Sequence, residues 1–248
     1  MMDSLNNCLE GADTINTATD AEQLRLERNR LMAALDQGLG SRLTLVVGPD
    51  GCGKSTLLRE WAEQAPASAV LITADDEGCT VEKMLRKLAA ALASVKPELA
   101  DLAPVEPIEP ETCMVALINE MAAYQGEIVV VIDNYQPLPE TDELLSFLLE
   151  HLPPQLHIYL AVEHAPIIPS LPRLRVRRQL TELTKRELLL SAGEIAELAR
   201  RLGFELTDDE LESLAVVSHG CVGELVTLLD DAAGNPDPYS HLRASLAS

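Results

Sequence analysis

Gly48, Gly51 and Gly53 run into Lys54, Ser55 and Thr56, so residues 48–55 read Gly-x-x-x-x-Gly-Lys-Ser, with Asp50 and Cys52 at variable positions. Those types at that spacing suit one task, holding a chain of phosphates. Glycines let the backbone turn sharply and bring its N–H groups against phosphate oxygens, and a helix starting at the lysine points its positive end at the anion. Lys54 neutralises the outer phosphates, and the Ser55 hydroxyl is spaced to reach Mg²⁺. The phosphate-binding candidates are therefore Gly48, Asp50, Gly51, Cys52, Gly53, Lys54, Ser55 and Thr56. Cys52 admits two readings, a small tolerated side chain or an oxidisable group that obstructs phosphate entry.

A metal-bound phosphate chain also needs a carboxylate for the cation's water shell. Asp133 supplies it, directly after the apolar run Ile128 to Ile132, which makes Ser55 and Asp133 the candidate metal residues. Hydrolysis requires in addition a group that orients or deprotonates water, commonly a second carboxylate beside the first. The next residue here is Asn134, an amide, so tight binding with slow turnover is the expectation.

These residues need elements that place them. Residues 43–47 read as a buried strand leading into the glycines, 55–63 as a helix leaving them, 69–73 as a second strand and 80–94 as a helix. Four prolines interleaved with glutamates between Lys96 and Glu111 predict an exposed connection. A helix over 112–124, then strands at 128–132, 156–162 and 178–183, complete an alternating rhythm. It predicts an α/β fold with a mostly parallel five-stranded sheet flanked by helices. Helical spacing up to Gly38 puts one helix ahead of the first strand. From Ser191 on the pattern is helical only, and Thr207 with Glu210 forms a capping box. The expected division is a flexible N-terminus at 1–20, a phosphate-loop core at 21–185, a helical subdomain at 186–234 and a flexible tail at 235–248.

Composition narrows the function. Nineteen Lys and Arg against forty Asp and Glu give a net charge of −21, a field that repels nucleic-acid backbones and anionic membranes. No direct nucleic-acid or membrane partner is expected. Five cysteines without a paired spacing indicate neither a zinc cage nor a disulfide framework and fit a reducing cytoplasm. The start of the chain lacks the basic and apolar regions of an export signal.

Several stretches carry a family resemblance: Arg30 to Leu39, the phosphate loop continuing into Leu57 to Trp61, Val131 to Tyr135, His151 to Pro154, and Leu171 to Leu180. With them, residues 24–230 resemble the nucleotide-binding domain of MalT-type, LuxR-family ATP-dependent regulators, among the signal-transduction ATPases with numerous domains (STAND). The resemblance implies a P-loop NTPase core in which another strand, here 156–162, separates the strand carrying Asp133 from the phosphate-loop strand. It also implies ATP or ADP with Mg²⁺ as the switch ligand, and a protein partner or homo-oligomer as the output. Relatives of this type carry a sensor and a DNA-binding helix-turn-helix, which this chain is expected to lack.

Where such proteins place a Ser-Arg pair after the fourth strand, this chain has Glu163 and His164, and their Gly-Trp-Pro turn reads Gly220, Cys221, Val222. Glu163 is the candidate to replace the missing base from the adjacent strand, against an ordinary polar strand end, so the catalytic candidates are Asp133 and Glu163. Arg30 is a candidate for contact with base or ribose. Arg173, Arg175, Arg177 and Arg178 suit either a nucleotide, an acidic partner surface or local pairing with glutamates. An active ATPase and a nucleotide-independent acidic scaffold stand as alternatives to the switch.

Overall fold

The computed structural model describes Leu26 and residues 28–74, 80–97 and 110–246. Strands form where short apolar runs rich in Val, Ile and Leu occur: β1 (Leu43–Val47), β2 (Ser68–Thr73), β3 (Ile128–Asp133), β4 (Leu156–Val162) and β5 (Leu180–Leu183). Their order is β2-β3-β4-β1-β5, and every neighbouring pair is parallel. β4 thus lies between β3 and β1, as expected, and all seven of its residues are buried because helices cover both faces of the sheet.

Alternation along the strands sends successive side chains to opposite faces. One face presents Leu43, Leu45, Val130, Ile132, Ile158 and Leu160 to α3 (Val81–Ala93), α4 (Pro110–Ala122) and α5 (Pro139–His151). The other presents Val46, Val129, Val131, Tyr159 and Ala161 to α1 (Asn29–Gly38) and α2 (Lys54–Gln64). Trp61 of α2 stacks on Tyr159 at 4.4 Å, and its indole N–H donates to Asp36 of α1 at 2.8 Å, so it packs the core as its position on the helix suggests. Tyr159 in turn donates to the Leu35 carbonyl at 2.7 Å. That contact needs Gly38, since a methyl there would lie 2.6 Å from the Tyr159 hydroxyl and 2.2 Å from Thr44 Oγ1.

Two short helices, α6 (Leu171–Val176) and α7 (Lys185–Leu188), flank β5. Pro172 in the first turn is compatible with α6. The chain divides into two compact units, a larger one of Arg28–Leu189 with Cys221–Glu224, and a smaller one that holds Leu190–Gly220 and the residues from Leu225 on. The latter is helical: α8 (Ala192–Arg201), α9 (Asp208–Val217), most of α10 (Val222–Ala233) and α11 (Pro238–Leu246). Thr207 and Glu210 form the expected capping box on α9.

The segment from 235, expected to be a flexible tail, carries α11 instead. Pro238 opens it, in the first turn where a proline costs no intrahelical hydrogen bond, and Leu242 is buried. Arg243 of α11 donates to Glu210 at 2.6 Å, while Tyr239 packs edge-on against Phe204. The expected N-terminal lead-in and most of the proline-rich connection lie outside the described residues. Among the described residues no single helix is long and apolar enough to cross a membrane.

Candidate nucleotide site

β1 delivers the chain to Gly48 at the carboxyl edge of the sheet, where its N–H donates to the Val162 carbonyl at 3.2 Å. Gly51 and Gly53 then take φ of +78° and +79°, values that bulky side chains resist. Gly53 is also the N-cap of α2 and has no side chain to cap with. The first-turn N–H groups of Lys54, Ser55 and Thr56 therefore have neither an intrahelical acceptor nor a side-chain cap, and the first turn holds no acidic residue. That is the arrangement an anion needs.

Lys54 is only 7% exposed. Its ammonium donates to the carbonyls of Gly48 at 2.7 Å and Pro49 at 3.0 Å, and pairs at 3.5 Å with Asp50, whose side chain is exposed. The cation is held inside the loop by its own backbone. Ser55 donates to Asp133 Oδ1 at 3.0 Å, and the same oxygen accepts the Asn134 N–H at 3.0 Å. Asn134 adopts a φ of +53°, which asparagine tolerates better than most residues. A hydroxyl and a carboxylate in contact are hard oxygen donors of the kind Mg²⁺ takes one or two of, leaving its other positions to phosphate and water. No cluster of three or more His, Cys, Asp or Glu offers a closed metal cage among the described residues. The donor set fits a nucleotide-bound Mg²⁺.

Glu163 follows the paired residues Val47 and Val162, so it stands at the same edge as Gly48. Its carboxylate is exposed and lies 3.6 Å from His164 Nε2. Arg30 is placed differently from the other candidates: its guanidinium donates to the carbonyls of Glu187 and, at 2.6 Å, Leu189. The arginine nearer the loop is Arg28, which sequence reasoning missed. It is buried, donates to the Leu188 carbonyl, and its Nη1 is 3.9 Å from where a Cβ on Gly53 would lie. Only the docking of the start of α1 near the end of α7 distinguishes these two arginines, and no sequence signal carries that. Lys185 also adjoins the loop, its Cα 3.8 Å from a Cβ built on Gly48. A net charge of −21 thus coexists with Lys54, Arg28 and Lys185 gathered at one turn. Arg173 pairs with Glu150 at 3.3 Å and Arg175 with Glu182 at 2.7 Å, the local pairing among the readings above.

The segment Cys221–Glu224 belongs with the larger unit and touches the loop. The Gly223 N–H donates to the Gly51 carbonyl at 2.8 Å, and a methyl on Gly223 would lie 2.9 Å from that oxygen. Cys52 and Cys221 are buried with their sulfurs 3.1 Å apart. Burial, reinforced by the Cys221 contact, pushes the Cys52 thiol up to about 11 against the pull of Lys185 and Lys54.

A glycine loop between β1 and α2, with Ser55 meeting an acidic strand end across an intervening strand, defines a P-loop NTPase fold. The profile of the family described as "AAA domain" matches residues 37–161, about half of the chain, and the chain belongs to that family. It is 27% identical over 182 residues to the HTH-type transcriptional regulator MalT of Cronobacter sakazakii, covering 67% of this chain and 19% of that protein. It is 27% identical over 227 residues to the serine/threonine-protein kinase PknK of Mycobacterium tuberculosis, covering 87% and 20%. The chain therefore spans about a fifth of the length of these curated relatives. The structure of a STAND protein with a tetratricopeptide repeat sensor, PH0952 from Pyrococcus horikoshii, shares the fold with a TM-score of 0.55 at 16% identity, over 90% of this chain and 32% of that one. The resemblance to the nucleotide-binding domain of MalT-type regulators agrees with these similarities.

Proposed function

We propose that this chain is an ATP-binding regulatory switch module with slow hydrolysis, acting in the cytoplasm through a protein partner or a second copy of itself. The observation that carries the reading is the 3.0 Å contact between Ser55 and Asp133, which joins the phosphate loop to the acidic strand end. In this reading the amides from Gly51 to Thr56 and the Lys54 ammonium hold the phosphates, with Gly48 and Cys52 shaping the turn and Asp50 pairing with Lys54 at its rim. Ser55 and Asp133 hold Mg²⁺, which when bound screens the charge of the phosphates. Arg28 and Arg30 serve the remainder of the nucleotide from the α1 side.

Slow turnover is supported by Asn134 at the position where a second carboxylate would orient water. Glu163, an acid at that edge among the described residues, is proposed to provide what turnover there is. ATP and ADP would then bias two conformations to the extent that their affinities for them differ. Isothermal titration with Mg-ATP and Mg-ADP, with phosphate release followed in the same sample, tests the reading. Saturable binding to the wild type and at least about a hundredfold weaker binding to Lys54→Ala are expected. Absence of saturable binding to the wild type overturns it in favour of an acidic scaffold. Rapid phosphate release would instead make turnover itself the activity, and Glu163→Gln should abolish any release that occurs.

A further inference from the structure

We propose that Cys52 and Cys221 form an oxidant-reactive dithiol, and that its disulfide withholds the phosphate loop from nucleotide. The inference rests on the nucleotide reading above for its consequence, though not for its chemistry.

The two sulfurs stand 3.1 Å apart across 169 residues of chain. A disulfide bond is about 2.05 Å, so bond formation asks for a closure of about 1 Å and no rearrangement of the fold. The third described cysteine, Cys113, lies in α4 among the core residues of the opposite sheet face. Cys52 sits between the two loop glycines at positive φ, so any displacement of its Cα turns the Gly51 and Gly53 peptides with it. On one side that backbone is already fixed, because the Gly51 carbonyl accepts from Gly223, two residues past Cys221. A covalent bond beside that hydrogen bond ties the loop at two adjacent points. Its amides then lose the freedom to settle around phosphate oxygens, whose hydrogen bonds tolerate displacements of only a few tenths of an ångström.

With hydrogen peroxide as oxidant the chemistry balances. One thiolate attacks a peroxide oxygen, the O–O bond breaks, and a sulfenic acid and hydroxide form. The second sulfur, already in contact, displaces hydroxide from the sulfenic sulfur. Two thiols and one peroxide yield one disulfide and two waters, with sulfur oxidised and oxygen reduced. Burial makes the first step slow: the Cys52 thiol is raised to about 11 and stays protonated near neutral pH. Reaction therefore goes through transient opening of the contact and accelerates as pH rises, whereas closure is fast because the partner is in place.

The test uses the full chain, treated with hydrogen peroxide and then alkylated. Trypsin places Cys52 in peptide 43–54 and Cys221 in peptide 202–243, which separates this pair from Cys8, Cys79 and Cys113. Expected are a cross-link between those two peptides, at least about tenfold weaker Mg-ATP binding, and recovery on reduction with dithiothreitol. Cys221→Ser should bind like the reduced wild type and keep that affinity after peroxide. Failure to find the 43–54 to 202–243 cross-link overturns the dithiol. A cross-link with unchanged affinity, or equal loss of binding by oxidised Cys221→Ser, overturns its proposed effect. If the reduced protein binds no nucleotide, the functional reading falls with that effect, while peptide mapping still decides whether the dithiol exists.

Discussion

The hydroxyl of Ser55, at the start of α2, and the carboxylate of Asp133, at the end of β3, meet at 3.0 Å although 78 residues separate them. Parallel register makes this so. β1 and β3 flank β4 and end at the same edge, which brings the residues after one strand beside those closing the other. Because Asp133 Oδ1 also accepts the Asn134 N–H, the carboxylate is held in position by two donors. Asp133→Asn and Ser55→Ala should each weaken Mg-ATP binding by about tenfold or more, while leaving the weaker binding measured in excess EDTA nearly unchanged. Titrations of both variants with and without Mg²⁺ check this, and an equal loss in both conditions would assign the pair to loop structure instead.

Asp50 places an exposed carboxylate 3.5 Å from the Lys54 ammonium. It competes with phosphate for that cation and repels the incoming anion. Asp50→Asn should therefore tighten Mg-ATP binding, by about two- to fivefold at low salt and by less as ionic strength rises. Weaker binding on this substitution would mean that the carboxylate organises the loop. Affinity measured across a salt series separates the two.

Much of this site is legible in the sequence because local pattern decides it. The apolar run of β3 and the glycine spacing before α2 each name their element without help from the rest of the chain, and the observed bounds of β4 coincide with those expected. Boundaries shift where one residue's backbone intervenes: β5 begins at Leu180 because Arg178 takes a φ of +56°, which breaks an extended strand. Proline reads as a breaker, yet Pro110 and Pro238 each open a helix, where the missing N–H has no partner to lose. What sequence does not supply are contacts made by folding. Arg28 rather than Arg30 approaches Gly53, and Cys52 meets Cys221 across 169 residues, relations that no periodicity encodes.

Gly38 ends α1 against Thr44 of β1 and Tyr159 of β4. A methyl group there would overlap Thr44 Oγ1 and the Tyr159 hydroxyl, which are themselves packed within the core. Gly38→Ala should destabilise the chain by about 2 kcal/mol, despite alanine's better helix propensity. Tyr159→Phe loses the bond to the Leu35 carbonyl, at a cost of about 1 kcal/mol. In the double variant the hydroxyl part of the clash is gone, so the two costs should sum to less than additive in urea melts. Strict additivity would show that Thr44 alone sets the limit at Gly38.

Glu210 is an acid of the smaller unit whose carboxylate joins the start of α9 to α11. The Thr207 N–H, the Arg243 guanidinium and the Thr207 hydroxyl all donate to its carboxylate and hold it at about 2, below the ordinary 4.5. A folded-state value below the unfolded one means that its stabilisation is fully present above pH 4.5. The loss sets in below that point, as the unfolded chain takes up a proton that the folded one resists, and is complete once pH has fallen through 2. Amide exchange in α9 and α11 should therefore quicken as pH drops through this window, after correction for the intrinsic pH dependence of exchange. Glu210→Gln keeps an acceptor for the capping box but no charge for Arg243, so the same amides should start less protected and change little with acid. If the wild type and the variant showed the same acid response in these helices, another carboxylate would have to be the one that matters.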